Sequence, residues 1–183
     1  EGICPIENIY IVTSQEYKDL IQEQVPALSS DQILLEPHRR NTAACIAYAC
    51  YKIASKNPDA NILVAPSDHI ILNEAAFKET VRTALQETQD HDILLTLGIQ
   101  PSRPDTGYGY IQYLPGESIV KKVKTFTEKP HLELAKQFID SGDFVWNAGI
   151  FIWNVRAFKT ALRTHLPEMA EIFETGKYNY FTE

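Results

Sequence analysis

The sequence has few cysteines and no long apolar run. Its 183 residues include three cysteines (Cys4, Cys45 and Cys50), too few and in too apolar a setting for a disulfide framework or a zinc site. No apolar stretch reaches the roughly 18 residues that a membrane span needs, and no charged-then-apolar leader opens the chain. We therefore expect a cytoplasmic globular protein without a membrane partner.

Clustered positive charge and the common catalytic motifs are lacking as well. The formal net charge is -7, and no Lys/Arg run could neutralise a row of phosphates, which argues against nucleic acid as a partner. A small phosphorylated ligand is still compatible with this charge, because a few cations and backbone N–H groups suffice to hold one. Gly-x-Ser-x-Gly, Walker and Gly-x-Gly-x-x-Gly motifs are absent, so we expect neither a serine nucleophile nor a standard nucleotide loop.

What is present is an alternation of short apolar runs with helical periodicity, which predicts an α/β fold with a Rossmann-like, mixed but mostly parallel sheet and helices on both faces. The predicted strands are Asn8–Ser14, Ile33–Pro37, Asn61–Ala65, Asp92–Gly98, Tyr108–Leu114, Ile119–Glu128 and Phe144–Trp153. The predicted helices are Gln15–Gln24, Asn41–Lys56, Glu74–Gln89, His131–Ser141 and Ala157–Phe173. Around Pro115-Gly116 the pattern indicates an inserted antiparallel hairpin.

Polar residues that follow the ends of predicted strands are candidates for a ligand site, because ligands collect beyond the carboxyl ends of parallel strands. Asp68, in the segment Pro-Ser-Asp-His after the strand NILVA, is placed to hold Mg²⁺ against phosphates, although an isolated Asp more often caps a turn. In Glu36-Pro37-His38-Arg39-Arg40-Asn41-Thr42-Ala43, a basic cluster precedes a helix N-terminus, which suits a base edge or a phosphate, or is a solvated basic turn.

Two later segments also carry residues that could bind a ligand near the end of a predicted strand. Residues 103–110 place two glycines, Gly107 and Gly109, at a strand entry, where they permit unusual dihedral angles and leave backbone groups open to a ligand, or form a plain turn. Thr-Glu-Lys-Pro offers Lys129 for a phosphate and Glu128 for hydroxyls. Asn147 is an amide among large apolar residues of a strand, where it would cost free energy unless something pairs with it.

Together these segments carry a resemblance to a known family. The ordered motifs EPxxRNTA, PSDH, RPxTGYGYI, FxEKP and WNAGIF span about two-thirds of the chain and resemble those of the bacterial mannose-1-phosphate guanylyltransferases (GDP-mannose pyrophosphorylases) of the nucleotidyltransferase superfamily. The resemblance implies an enzyme that forms GDP-mannose and pyrophosphate from GTP and mannose 1-phosphate, with Mg²⁺ as cofactor. GTP, mannose 1-phosphate and GDP-mannose are thus the expected partners, and homo-oligomerisation stays open.

The same resemblance implies a role for each site residue. Asp68 would be catalytic as the Mg²⁺ ligand, and Lys129 would be catalytic through the phosphate of mannose 1-phosphate. The sugar-binding residues would be Gly109, Glu128 and Asn147. The nucleotide-binding residues would be Glu36, Arg40, Asn41, Thr42 and Ala43.

Two departures from the family pattern qualify this expectation. The family opens with a strand and a Gly-rich loop that holds the triphosphate, and it carries a second metal-binding Asp further downstream; neither is found in residues 1–183. We therefore expect an incomplete nucleotidyltransferase catalytic domain over 1–183, a fragment that is itself poorly active. Alternatives are a pyrophosphorylase for another base or sugar, a non-catalytic nucleotide-sugar binding module, and a metal-dependent glycosyltransferase of similar fold.

Overall fold

The computed structural model describes residues 2–36 and 41–176, and it confirms the predicted α/β fold. The strands are β1 (Ile11–Ser14), β2 (Ile33–Glu36), β3 (Asn61–Val64), β4 (Leu94–Ile99), β5 (Tyr110–Tyr113), β6 (Val123–Thr127) and β7 (Phe144–Asn154). The helices are α1 (Lys18–Gln24), α2 (Asn41–Lys56), α3 (Glu74–Asp90), α4 (Leu132–Ser141), α5 (Val155–His165) and α6 (Pro167–Thr175). Among the described residues, no helix is both long and apolar enough to span a membrane.

The chain divides into two compact units. The first comprises residues 1–62, 71–94 and 153–183. In it β1 and β2 pair in parallel, with Ile11 opposite Ile33 and Ser14 opposite Glu36. Helices α2, α5 and α6 pack together, and Tyr51 of α2 stacks on Phe173 of α6 with ring centroids 5.1 Å apart. Small buried residues of α2, Ala47 and Ala54, allow this close packing.

The second unit comprises residues 63–70 and 95–152. Its sheet has the strand order β3-β7-β5-β6, and β4 also pairs with β7. Strands β5 and β6 pair in the antiparallel sense, as the predicted hairpin requires, and β5 also pairs antiparallel with β7. Tyr110, Ala135, Phe144 and Trp146 form its buried core, and Phe138 of α4 stacks on Phe144 with ring centroids 4.0 Å apart. Strict alternation of buried and half-buried residues along most of β7 gives this strand two different faces.

The prediction of one long helix over Ala157–Phe173 was wrong. The structure has two helices there, α5 ending at His165 and α6 beginning at Pro167. Proline lacks the N–H that a continuing helix needs, and it disfavours helical geometry in the residue before it. Leu166 accordingly has φ -136° and ψ 59°, and Pro167 occupies the first position of α6, where a missing N–H costs nothing.

The side chain of Asn154 ties three parts of the first unit together. It is 4% exposed, and its Oδ1 accepts the backbone N–H of Ala157 at 2.7 Å, which caps α5. Its Nδ2 donates to the carbonyl of Thr88 at 2.8 Å and to Asp92 Oδ1 at 2.7 Å. This hydrogen bond, together with Arg156, holds the pKa of Asp92 below its usual range.

Replacing Asn154 with Ala is expected to lower the free energy of unfolding by about 2 kcal/mol, because a helix cap is lost and buried partners are left unsatisfied. Urea or thermal unfolding measures this change. Asn73→Ala is the matched control, since Asn73 caps α3 through one hydrogen bond to the N–H of Ala76 and is exposed. It should cost about 1 kcal/mol or less. Equal losses in the two variants would contradict the role given to Asn154.

Candidate functional site

The segment that follows β3 carries the predicted metal ligand, Asp68. Its side chain is 87% exposed, and the Nε2 atom of His69 lies 4.0 Å from its Oδ1. Pro66 of the same segment lies against β7, where a Cβ on Gly149 would come within 3.3 Å of Pro66 Cγ. Asp68 therefore presents an open carboxylate two residues after a proline that lies close to β7.

Gly109, Glu128 and Asn147, the three predicted sugar ligands, lie together in the second unit. The backbone N–H of Asn147 donates to the carbonyl of Gly109 at 2.8 Å. A Cβ added to Gly109 would lie 2.8 Å from Glu128 Oε2 and 3.5 Å from the Cβ of Asn147. We refer to these three residues as the glycine–amide cluster. It brings the side chains of one glutamate and one asparagine against the backbone of a single glycine.

The reason for a glycine at position 109 differs from the one predicted. Positive φ angles occur at Gly2, Gly142, Gly149 and Gly176 among the described glycines, so neither Gly107 nor Gly109 needs a left-handed conformation. What Gly109 needs is space, because a Cβ would collide with the carboxylate of Glu128 and press on Phe126 at 3.3 Å. The prediction that its dihedral angles explain the glycine was therefore wrong, and close approach explains it.

Lys129 lies beside this cluster. Its Nζ is 3.6 Å from Glu128 Oε1, and both side chains are 63% exposed. An ion pair this exposed contributes little to stability. Lys129 also has φ 42°, one of two positive φ values among the described non-glycine residues. Such backbone geometry costs about 1 kcal/mol or more and is concentrated at functional sites. The geometry thus leaves a cation accessible to a ligand beside the cluster.

The surroundings of Asn147 also differ from those predicted. The period of two along β7 places Trp146 in the core, whereas Asn147 is half-buried on the other face of the strand. Its Oδ1 accepts the backbone N–H of Gly149 and the hydroxyl of Thr96, each at 3.1 Å. Residue Thr96 was missed by the sequence analysis. The signal that could have found it is the one that singled out Asn147, a polar residue within an apolar strand.

The loop before Gly109 is held by side chains of the core. The hydroxyl of Tyr110, which is fully buried, donates to the carbonyl of Asp105 at 2.9 Å. The carboxylate of Asp105 accepts the N–H of Gly107 at 2.8 Å and pairs with Arg103 at 2.6 Å, and these contacts hold its pKa below the usual range. Tyr108 packs on Trp146 with ring centroids 5.0 Å apart. Gly109 therefore sits on an ordered loop.

The predicted nucleotide residues belong to the first unit. Glu36 ends β2, and Asn41, Thr42 and Ala43 form the exposed first turn of the 16-residue helix α2. Asn41 has φ 67°, a left-handed value that asparagine tolerates better than most residues. Burial, and then the neighbouring charge of Glu36 and a hydrogen bond to it, raise the pKa of Cys45 to about 11. Arg40 lies outside the described residues.

The comparison with protein families decides the affiliation of the chain. A model described as nucleotidyl transferase matches residues 4–179. The chain belongs to the nucleotidyl transferase family. This confirms the superfamily expected from the motifs, and members of it generally use a divalent metal ion.

Individual relatives of the chain agree with that affiliation. It is 38% identical over 165 residues to a mannose-1-phosphate guanylyltransferase of Sinorhizobium fredii, covering 87% of the chain and 32% of the relative. It is 35% identical to the alginate biosynthesis protein AlgA of Pseudomonas aeruginosa, covering 90% of the chain and 34% of the relative. The chain thus spans about a third of the length of the curated relatives it matches.

Solved structures support the fold as well. A crystal structure described as a mannose-1-phosphate geranyltransferase from Thermus thermophilus matches with a TM-score of 0.86 and 29% identity. The match covers 94% of this nucleotidyl transferase and 50% of that chain. The agreement extends the likeness from short motifs to the arrangement of nearly all the strands and helices.

The residues of this chain fit one kind of metal site and not another. No group of three or more His, Cys, Asp or Glu side chains in the described part of the chain could enclose a metal ion. Asp68 offers a single carboxylate, which is 87% exposed. Mg²⁺ is commonly bound by one or two carboxylates, with water and substrate phosphates completing its shell. Asp68 therefore fits a magnesium ion that arrives with a phosphorylated substrate.

Proposed function

We propose that this chain is part of an enzyme that transfers the guanylyl group of GTP to mannose 1-phosphate, forming GDP-mannose and pyrophosphate. The observation that carries the proposal is the glycine–amide cluster with Lys129 beside it, in a chain of the nucleotidyl transferase family. A carboxylate and an amide together supply the acceptors and donors that recognise sugar hydroxyls, and an exposed lysine supplies a charge for the adjoining phosphate.

The reaction needs positioning and charge neutralisation rather than a protein nucleophile. A phosphate oxygen of mannose 1-phosphate forms a bond to the α-phosphorus of GTP, and the bond from that phosphorus to the bridging oxygen of the β-phosphate breaks. Pyrophosphate leaves with the electron pair of the broken bond. Glu128 and Asn147 hold the hexose, while Lys129 compensates the charge of the attacking phosphate. This agrees with the lack of a nucleophile motif in the sequence.

A magnesium ion would be held by Asp68. When bound, it neutralises charge on the triphosphate and favours departure of the pyrophosphate group. Asp68 itself contributes one negative charge and one or two ligand oxygens, and its exposure leaves the remaining positions of the ion to substrate and water.

The guanosine would contact Glu36, Arg40, Asn41, Thr42 and Ala43. Two features of the first unit support this part of the proposal. The first turn of α2 is exposed, so its unpaired N–H groups are available to the nucleotide. The second feature is Cys45, whose thiol has a raised pKa and stays protonated at neutral pH. It forms a hydrogen bond with the carboxylate of Glu36, which helps to position this predicted nucleotide ligand.

The direct test is an assay of the full-length protein with GTP, mannose 1-phosphate and Mg²⁺. We expect pyrophosphate release and GDP-mannose to appear in equal amounts. A panel of other nucleoside triphosphates and hexose 1-phosphates, tested in parallel, should support turnover at least about tenfold less well, since a mismatched hydrogen-bonding group leaves polar groups unpaired. If the protein prefers another base or another hexose phosphate, the proposed substrates are wrong. If it binds GDP-mannose without turnover, it is a binding module and not an enzyme.

Replacing Asn147 or Glu128 with Ala in the full-length protein should raise the KM for mannose 1-phosphate about ten- to thirtyfold. Each is expected to contact only the sugar, and a lost hydrogen bond to a charged or buried group costs about this much. The KM for GTP should change by less than about threefold, because neither side chain is expected to contact the nucleotide. Initial rates with each substrate varied in turn measure both constants, and equal effects on the two substrates would contradict the assignment.

A further inference from the structure

The hydrogen bonds around Asn147 fix which end of its amide faces a ligand. The oxygen and nitrogen of an amide side chain are distinguished by their partners. Here the decisive partner is the backbone N–H of Gly149, which can only donate and lies 3.1 Å from Oδ1. That atom must therefore be the oxygen.

A second protein donor reaches the same oxygen. The hydroxyl of Thr96, on the neighbouring strand β4, is 3.1 Å from Asn147 Oδ1 and 3.2 Å from the carbonyl of Ile150. The single hydroxyl hydrogen of Thr96 is shared between Asn147 Oδ1 and the carbonyl of Ile150. Together with the N–H of Gly149 it occupies both lone pairs of the Asn147 side-chain oxygen. What Asn147 can still offer a ligand is its Nδ2 group, which only donates.

From this arrangement we infer that Thr96 is a positioning residue for hexose recognition, acting through Asn147. The inference rests on the proposed function. Thr96 and Gly149 hold the Asn147 amide so that Nδ2 donates to a hydroxyl oxygen of the sugar, while the Glu128 carboxylate accepts from a hydroxyl hydrogen. Donor and acceptor roles are thereby divided between two side chains that both lie against Gly109.

The surroundings of Thr96 suit this role. It is half-buried in β4, a strand that otherwise contains only aliphatic residues and a glycine, so its hydroxyl contributes nothing to the apolar packing. Without the hydroxyl, Oδ1 would keep one donor and the amide could rotate about χ2, a torsion with broad preferences. The Nδ2 group of Asn147 would then no longer be held in one position, although the backbone of β7 would be unchanged.

The test uses Thr96→Val, which replaces the hydroxyl with a methyl group of similar size, in the full-length protein. The KM for mannose 1-phosphate should rise about three- to tenfold, the usual effect of one net hydrogen bond, with the KM for GTP unchanged. Thr96→Ser should restore the wild-type value. Thr125→Val is the matched control, because the hydroxyl of Thr125 donates to Gln112 Oε1 in the same unit and should not affect either constant.

A double-mutant cycle separates positioning from general destabilisation. In the Asn147→Ala background, Thr96→Val should have no further effect beyond about twofold, because coupled residues are not additive. Additive losses, or an equal rise in both KM values, would overturn the inference while leaving the proposed function standing. A wild-type protein that does not turn over mannose 1-phosphate would instead overturn the proposed function, and this inference with it.

Discussion

Asp68→Asn in the full-length protein is expected to lower the rate of GDP-mannose formation at least about a hundredfold, with the fold intact. The substitution preserves shape and removes one negative charge, and loss of a key charge-stabilising contact at a reaction centre usually costs this much or more. The fold should not suffer because the Asp68 side chain is 87% exposed, with His69 Nε2 lying 4.0 Å from its Oδ1. Initial rates at saturating Mg²⁺ and circular dichroism measure the two properties.

The control for this prediction is Asp140→Asn. Asp140 is an exposed carboxylate of α4 in the same unit, so the substitution changes the net charge by the same amount at a different place. It should leave turnover within about twofold of wild type, as expected for a surface substitution. Retention of more than about a tenth of the wild-type rate by Asp68→Asn would show that Asp68 does not hold the metal ion.

The fold was largely predictable because its local signals agree with each other. The predicted range of α2, Asn41–Lys56, is the observed one, and β2, β3 and β7 differ from their predicted ranges by a residue at one end. Some observed strands are shorter than predicted where the flanking residues are polar or close to a proline. The hairpin strand predicted to begin at Ile119, for example, begins at Val123. The break at Pro167 was missed because the apolar pattern continues across it, although proline chemistry alone would have indicated it.

The candidate site was predictable in composition but not in geometry. Sequence motifs identified Gly109, Glu128 and Asn147, and the structure brings these three together, yet their roles toward a hexose stay predictions. The sequence could not show that position 109 requires a glycine because the Glu128 carboxylate lies close to it. Nor could it show that Thr96 meets Asn147, since that contact depends on the pairing of β4 with β7, 51 residues apart in the chain.

The nucleotide residues illustrate a different limit. Glu36, Asn41, Thr42 and Ala43 were chosen because a strand end precedes a helix start, and the structure confirms both elements. Their local setting also reveals Cys45, whose thiol contacts Glu36, a contact that the sequence does not indicate. A helix beginning makes N–H groups available but carries no information about the base they meet. The proposal that guanine is the base therefore rests on the likeness to relatives that are named guanylyltransferases.

Gly109→Ala should impair hexose binding more than its small size suggests, raising the KM for mannose 1-phosphate about ten- to thirtyfold, as much as the loss of Glu128 itself. The added Cβ would lie 2.8 Å from Glu128 Oε2 and 3.3 Å from Phe126 Cε1. Of these two neighbours, the Glu128 carboxylate is the end of a flexible, 63% exposed side chain, so it will move. The backbone and core can stay in place, and the melting temperature should fall by only a few degrees, as for a loss of about 1 kcal/mol or less.

The mechanism behind this prediction can be isolated with two further variants. Gly116→Ala, in the β5–β6 hairpin, adds the same methyl group where no atom lies within 4 Å, so it should leave both KM values unchanged. Glu128→Ala removes the group that the new Cβ displaces. If displacement of Glu128 is the cause, Gly109→Ala added to Glu128→Ala should raise the KM by no more than about twofold further, because the two changes act on one contact. Full additivity would mean that the Gly109 backbone itself meets the sugar and that the carboxylate is not what the glycine accommodates.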